Sequence, residues 1–347
     1  MAYFGNLLCF HANIRINNEK INCFHFRQLT SFSNHEYRLA QELKIKDIVI
    51  NIYGENMLSA FINKHRLPNE FKLTVQKSYL PIAEQIIEGF KKSGAPYFVG
   101  INGCQGSGKS TLTDFIGNFL NEEYNLNVVV MSLDDFYLDS KKRKALAKNV
   151  HPLLVTRGVP GTHDTDLLKD TINKLQNQET NFAIPKFNKA TDEPFPKSEW
   201  QVIEQPADII ILEGWCWGVS AQTNDQLKSP INELELQDDN DGKWRTYVNQ
   251  QLKQYYQPLY HLINYWLVLQ APSFDCVYRW RLEQERKLAL KVIEPQQSKI
   301  MNSEQIFDFV QYFQRLSVHA ANTLSRSANA TLFLDKDRRI TNMAFKG

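Results

Sequence analysis

The segment Gly103-Cys104-Gln105-Gly106-Ser107-Gly108-Lys109-Ser110 constrains this chain more than any other. It fits the pattern G-x-x-x-x-G-K-[ST], and its flanks fit as well as its letters. An apolar run, Tyr97-Phe98-Val99-Gly100-Ile101, precedes it and reads as a buried strand. A helical stretch beginning near Lys109 follows, with Leu112, Phe115, Ile116 and Phe119 at helical spacing. Strand, glycine loop and helix in that order let backbone N–H groups surround a polyphosphate. Glycine supplies the positive φ and the close backbone approach that such a loop needs. The helix N-terminus adds roughly half a positive charge facing the ligand. Lys109 is then placed to reach the β/γ-phosphates, and the Ser110 hydroxyl to ligate Mg²⁺. The sequence thus predicts a nucleoside triphosphate site formed by Gly103, Gln105, Gly106, Ser107, Gly108, Lys109, Ser110 and Thr111.

The rest of the composition is that of an ordinary globular protein. The 347 residues can bury a substantial core, enough for one large domain or two smaller ones. With 40 basic and 38 acidic residues the formal charge is +2, which gives no case for a nucleic-acid or membrane-surface protein. The five cysteines (9, 23, 104, 216 and 276) are scattered and include no C-x-x-C pair, so they read as reduced thiols rather than a disulfide frame or a zinc site. The N-terminus lacks a basic region followed by an apolar core, and no stretch approaches the roughly 20 apolar residues of a membrane span. A cytoplasmic protein is expected.

From Tyr97 onward, short apolar strands alternate with helical patterns. The strands are expected at 97–101, Val128–Met131, Ile209–Leu212, Trp266–Leu269 and Thr331–Leu334, which implies a mainly parallel five-stranded sheet covered on both faces. Helices are expected at Ser78–Lys92, Asp164–Gln176, Trp244–Ile263, Phe274–Lys291 and Ser303–Leu324, with Pro258 interrupting the third. The acidic stretch Glu233–Asp241 reads as a solvated loop. Residues 1–75 differ in character and are expected to form a mostly helical extension, with helical patterns around Glu36–Ile45 and Met57–His65. Residues 76–347 then make the nucleotide-binding domain.

Ligands of an open α/β sheet bind beyond the carboxyl ends of its strands. Two acidic motifs fall there: Ser132-Leu133-Asp134-Asp135-Phe136-Tyr137 after the second strand, and Glu213-Gly214-Trp215 after Ile209–Leu212. Phosphoryl transfer needs a group that orients an acceptor hydroxyl and takes its proton, and a carboxylate near Mg²⁺. Asp134 or Asp135 suits the first task. Glu213, following four apolar residues, suits the second. The loop Arg157-Gly158-Val159-Pro160-Gly161-Thr162-His163-Asp164 leads into a helix that Thr162 or Asp164 can cap. Capping does not explain Arg157 and His163, which suit an anionic substrate. Lys186 and Lys189 form a basic cluster, and a helix carrying Arg279, Arg281 and Arg286 reads as a lid near 274–300. Guanine specificity is not expected, because neither Asn173-Lys174-Leu175-Gln176 nor Asn188-Lys189-Ala190-Thr191 completes N-K-x-D.

Together these motifs resemble the P-loop kinases that include phosphoribulokinase, uridine kinase and pantothenate kinase. Within that group R-G-x-P-G-T-H-D, Pro185-Lys186-Phe187-Asn188-Lys189-Ala190, E-G-W and Trp280-Arg281-Leu282-Glu283-Gln284-Glu285-Arg286-Lys287 are similar to plant-type D-glycerate 3-kinases and their bacterial and fungal kinase-like relatives. The resemblance spans roughly residues 76–340. It implies a P-loop NTPase fold of three α/β/α layers and an enzyme using ATP with Mg²⁺. The γ-phosphoryl group would pass to a small hydroxylated metabolite, with D-glycerate ahead of a nucleoside, a pantothenate-like compound or a sugar phosphate; the alternative of another class is a P-loop ATPase or interaction protein without a small acceptor. It further implies that Asp134 is the base, that Arg157, Thr162, His163, Asp164, Lys186 and Lys189 contact substrate, and that Arg281 or Arg286 reaches the ATP phosphates.

Overall fold

The computed structural model describes residues 13–16, 19–22, 57–289 and 301–346. Contacts divide the chain into two compact units, Met1–Leu67 and Pro68–Gly347. In the first, strand β1 (Asn13–Ile16) pairs antiparallel with β2 (Glu19–Asn22), and a helix spans 57–65. The helical pattern at Glu36–Ile45 lies outside the described residues.

The second unit is built on a sheet whose five parallel strands are those expected from the apolar runs: β3 (Tyr97–Gly103), β4 (Val128–Ser132), β9 (Ile209–Gly214), β10 (Tyr265–Gln270) and β11 (Ala330–Leu334). Every residue of β3 and β9 is buried, as strands covered on both faces must be. A sixth strand, β12 (Ile340–Phe345), adds antiparallel to β11, giving the order β12-β11-β10-β3-β9-β4. Its sequence, Ile340-Thr341-Asn342-Met343-Ala344-Phe345, mixes apolar and polar residues and none of them is buried, so this edge strand carries no continuous apolar run. Helix α1 (Leu80–Ser93) and helix α2 (Lys109–Tyr124) both contact β3. Phe115 and Ile116 of α2 are fully buried, each worth about 1.5–3 kcal/mol in apolar burial.

A separate apolar cluster joins residues of β4 and β9 to helix α4 (Thr165–Gln176), helix α6 (Lys243–Gln251) and helix α8 (Ser303–Ser327). The helix expected over Trp244–Ile263 ends early: after Gln251 the backbone passes through a π turn and then a 3₁₀ turn that begins at Gln257, where Pro258 offers no N–H.

The acidic segment Glu233–Asp241 is not a solvated loop. It forms helix α5 (Glu233–Asp238), and two of its acids are buried because each meets an arginine. Glu235 accepts from Arg315 Nε at 2.7 Å and Nη2 at 2.5 Å, while Asp239 Oδ2 accepts from Arg245 Nη1 at 2.9 Å. A charge run read without its partners looks solvated; paired with cations from α8 and α6, the same acids become internal ties. Among the described residues, His151, Asp239 and Asp241 bring three possible metal donors together. Asp239 is already committed there, since its Oδ1 also accepts from Trp244 N at 2.6 Å to cap α6.

Candidate active site

Sheet register places the three strand-end motifs level with one another. Glu213 lies beside Ile101 on one flank and Ser132 on the other, so the glycine loop, the Asp134-Asp135 turn and the Glu213 loop open onto one edge. Asn102 reinforces this from β3, donating from Nδ2 to the carbonyls of Trp215 (3.0 Å) and Trp217 (2.7 Å).

The loop after β3 has the backbone its sequence requires. Gly106 and Gly108 take φ of +77° and +96°, and Gly108 leads directly into α2. A Cβ at Gly103 would stand 2.7 Å from Ser107 Oγ. Gln105 Oε1 and Ser107 Oγ are buried with no partner among the described residues, as expected of a cradle for a polar ligand. Thr111 lies in the first turn of α2. Lys109 folds over the loop, Nζ donating to Cys104 O at 3.2 Å and standing 3.9 Å from Glu213 Oε2. Ser110 Oγ donates to Glu213 Oε1 at 3.2 Å. A hydroxyl beside a carboxylate under a phosphate cradle is a fitting donor set for Mg²⁺, a hard cation that takes oxygen ligands. Glu213 belongs to the lining of a cleft of about 530 Å³ that also reaches Ser110, Ser132, Asp135 and Lys186.

The two aspartates sit in a short 3₁₀ turn directly after β4. Asp134 Oδ1 accepts from Tyr137 Oη at 2.9 Å, and Oδ2 from Lys189 Nζ at 2.5 Å. Desolvation pushes the Asp134 carboxyl up, but Lys189, Lys109 and the Tyr137 hydroxyl outweigh it and hold the group well below the usual carboxylate range. Asp135 Oδ2 accepts from Lys186 Nζ at 3.1 Å, and Oδ1 from Phe187 N at 3.2 Å. Each aspartate is therefore matched to one lysine of a single hairpin, β6 (Phe187–Asn188) with β7 (Glu193–Pro194), which falls in the chain between the paired strands β5 (Phe182–Ile184) and β8 (Gln201–Ile203).

Arg157 completes this group. Its guanidinium lies 5.6 Å from the centre of the Phe187 ring, and it donates to Asp192 Oδ1 and, at 3.5 Å, to Lys189 O. Thr162 and Asp164, expected to contact substrate, each make hydrogen bonds within their own loop or to the helix it leads into. The fully buried Thr162 hydroxyl donates to Val159 O at 2.7 Å and accepts from Gly158 N at 3.0 Å. Asp164 caps α4 by accepting from Leu167 N at 3.1 Å, and pairs with Lys142 at 3.2 Å. Both hydroxyl and carboxylate satisfy backbone groups that a Gly/Pro loop leaves open.

His163 is buried, stacked on Tyr137 with ring centres 4.5 Å apart, and joined through Nδ1 to Tyr256 Oη at 2.6 Å. Its Nε2 is buried with no partner among the described residues. Burial pushes His163 down to about 4, with Asp134 opposing. That folded value lies below the ordinary 6.5, so between the two the unfolded chain binds more protons and stability falls as pH drops through this range. Denaturant midpoints measured over that interval should fall for the wild type and fall less steeply for His163→Gln. Parallel slopes would contradict a neutral buried imidazole.

The candidate lid begins with helix α7 (Asp275–Ala289). Trp280, almost fully buried, packs on the glycine loop so closely that a Cβ at Gly106 would fall 2.6 Å from Trp280 Cβ. Arg281 pairs with Glu285 and lies over the Phe309 ring at 5.6 Å. Desolvation and the nearby Arg157 charge lower its pKa, with Glu285 opposing. Arg286 is exposed and, five residues further along the helix, lies on a different face from Arg281. Of the two arginines expected at the phosphates, Arg281 is the one that feels the Arg157 charge. Residues 290–300 of the expected lid lie outside the described residues.

Tyr137, Tyr256, Arg143 and Asp192 were not singled out from sequence. Tyr137 stands in the S-x-D-D-F-Y motif and could have been; the others come from distant segments and carry no local signal.

A glycine loop at a parallel sheet's carboxyl edge, with strand-end acids paired to a lysine-bearing hairpin, is the arrangement of a P-loop kinase. The chain belongs to the phosphoribulokinase/uridine kinase family: residues 98–230 match that family's model. It is 31% identical to the uncharacterized kinase mug58 of Schizosaccharomyces pombe over 72% of this chain and 91% of that one. It is 28% identical to the chloroplastic D-glycerate 3-kinase of Arabidopsis thaliana over 75% of this chain, spanning 57% of the plant enzyme's length. Among solved structures, the YGR205w protein superposes with a TM-score of 0.64 at 30% identity, over 78% of this chain and 98% of that one. The D-glycerate 3-kinase of Cryptococcus neoformans var. grubii shares the fold with a TM-score of 0.64 at 24% identity, over 77% and 99%. The protein is an ATP-dependent kinase of this family. No helix among the described residues is long and apolar enough to cross a membrane.

Proposed function

We propose that this kinase transfers the γ-phosphoryl group of ATP to a hydroxyl of a small anionic metabolite, D-glycerate giving 3-phosphoglycerate. The observation that carries the reading is the pairing of Asp134 with Lys189 and of Asp135 with Lys186, beside Arg157. Carboxylates able to orient a hydroxyl thus adjoin three cations able to hold an acid group. The name D-glycerate 3-kinase borne by a relative and by a structural neighbour supports the same acceptor.

In this reading the backbone of Gly103–Gly108 cradles the phosphates and Lys109 supplies positive charge at the β/γ position. Ser110 and Glu213 would hold Mg²⁺, which neutralises phosphate charge when bound. Arg281 adds charge from α7. Arg157, Lys186 and Lys189 hold the acceptor's anionic group, and His163 Nε2 offers a further polar contact. Asp134 receives the hydroxyl proton. Its pairing with Lys189 keeps it a weak base while the acceptor is absent; an anionic group drawn to Lys189 would loosen that pairing and raise its basicity.

A panel of hydroxy acids, nucleosides and sugar phosphates, each with ATP and Mg²⁺ and with products identified by ³¹P NMR, tests the assignment. The expected product is 3-phosphoglycerate from D-glycerate. Turnover of another compound with no 3-phosphoglycerate would remove glycerate as acceptor and keep the kinase.

A further inference from the structure

Asp192 occupies an unusual position. It lies in the turn between β6 and β7 with φ of +64°, in the left-handed region that few residues other than glycine, asparagine and aspartate enter readily. Its backbone N–H is fixed to Asn188 O at 2.9 Å. Its carboxylate joins two arginines from different parts of the chain. Oδ2 accepts from Arg143 Nη2 at 2.8 Å, and Oδ1 accepts from Arg157 Nη1.

The two arginines are not equivalent. Arg143, in helix α3 (Ser140–Asn149), is buried and anchored: Nε donates to Leu138 O at 3.1 Å, Nη1 to Val155 O at 3.0 Å and Nη2 also to Asp192 O at 3.0 Å. Three backbone carbonyls therefore fix its planar fork, leaving it no freedom to follow a ligand. Arg157 is held more lightly. Apart from Asp192, its guanidinium has the Phe187 face and a 3.5 Å contact to Lys189 O. It also stands near the like charges of Lys189 and Arg281, which would drive an untethered side chain outward. Arg143 is thus a fixed post, Asp192 the link and Arg157 the group that is aimed.

We propose that Asp192 is the positioning residue of the acceptor site: by linking the immobile Arg143 to Arg157, it sets the direction in which Arg157 meets the acceptor's anionic group. This rests on the assignment of Arg157 to the acceptor. Asp192 itself does not touch substrate; it acts through Arg157. A second consequence is that this carboxylate strengthens the tie between the hairpin bearing Lys186 and Lys189 and the loop bearing Arg157, beside the Arg157 contacts to Lys189 O and Phe187.

The test is steady-state kinetics with D-glycerate and ATP on the full chain. Asparagine tolerates the same positive φ, so Asp192→Asn retains the turn and removes the charge. It should raise the KM for D-glycerate by about 10–150-fold, the value of a charged hydrogen bond. The KM for ATP should change by less than about two-fold, because the phosphate cradle does not depend on the link. Asp192→Glu, which keeps the charge, should recover part of the loss. In an Arg157→Ala background, adding Asp192→Asn should alter the acceptor KM by less than about two-fold, since the route through Arg157 is already gone.

Equal rises in both KM values, or additive effects in the double variant, would overturn the proposal. So would loss of folding in both Asp192→Asn and Asp192→Gly when Arg157→Ala folds, for the carboxylate would then serve only the hairpin. An Arg157→Ala variant with unchanged acceptor KM, or a wild type inert toward D-glycerate, would instead reject the acceptor-site assignment beneath it.

Discussion

Replacing Asp134 with asparagine should lower kcat by about 10²–10⁴ while leaving ATP binding largely intact. Asparagine keeps the shape and can still accept from the Tyr137 hydroxyl, but it cannot take a proton from an acceptor hydroxyl. It also strips Lys189 of the counter-ion 2.5 Å away. Asp135→Asn is the control within the same turn. Asp135 is bound by Lys186 at 3.1 Å and by the backbone N–H of Phe187 at 3.2 Å, a pattern that ties the turn to the hairpin. Its loss should cost less in kcat and more in thermal stability. Single-turnover rates for the two variants, with ATP affinity measured separately, decide the matter. A small loss at Asp134 beside a large one at Asp135 would exchange their roles.

Lys109→Ala should damage nucleotide binding and turnover together. Each charged hydrogen bond lost is worth roughly 1.5–3 kcal/mol, so ATP affinity should fall by about 10–150-fold for one such bond. The fold should survive. Among the described residues, Lys109 Nζ meets the Cys104 carbonyl at 3.2 Å and, at the edge of ion-pair range, Glu213. Calorimetric titration with ATP and Mg²⁺ measures the loss. An unchanged ATP Kd would separate this lysine from the phosphates.

The parts of the molecule legible in sequence are those fixed by local rules. Uninterrupted apolar runs announced the five parallel strands, because strands buried on both faces tolerate nothing else. The glycine loop was legible because its positive φ values and its crowding by Ser107 and Trp280 exclude side chains. The strand-end acids followed from their position after those runs. What stayed hidden depends on partners remote in the chain. Glu235 and Asp239 looked solvated until Arg315 and Arg245 closed on them. Edge strand β12 interrupts its apolar residues with Thr341 and Asn342 and buries none of them, so it lacks the continuous run of the inner strands. Thr162 and Asp164 carry a motif that suits an anionic ligand, yet each also makes hydrogen bonds to backbone groups nearby. Asp192, joined to Arg143 and Arg157 across 49 and 35 residues, cannot be recognised from spacing at all.

The most direct measurement is the rate of ADP formation with and without D-glycerate, set against the amount of phosphorylated acceptor. A metabolite kinase gives ADP formation that depends on the acceptor and matches the phosphorylated product mole for mole. ATP hydrolysis at one rate in the presence and absence of every hydroxy compound, unaffected by Asp134→Asn, would contradict it.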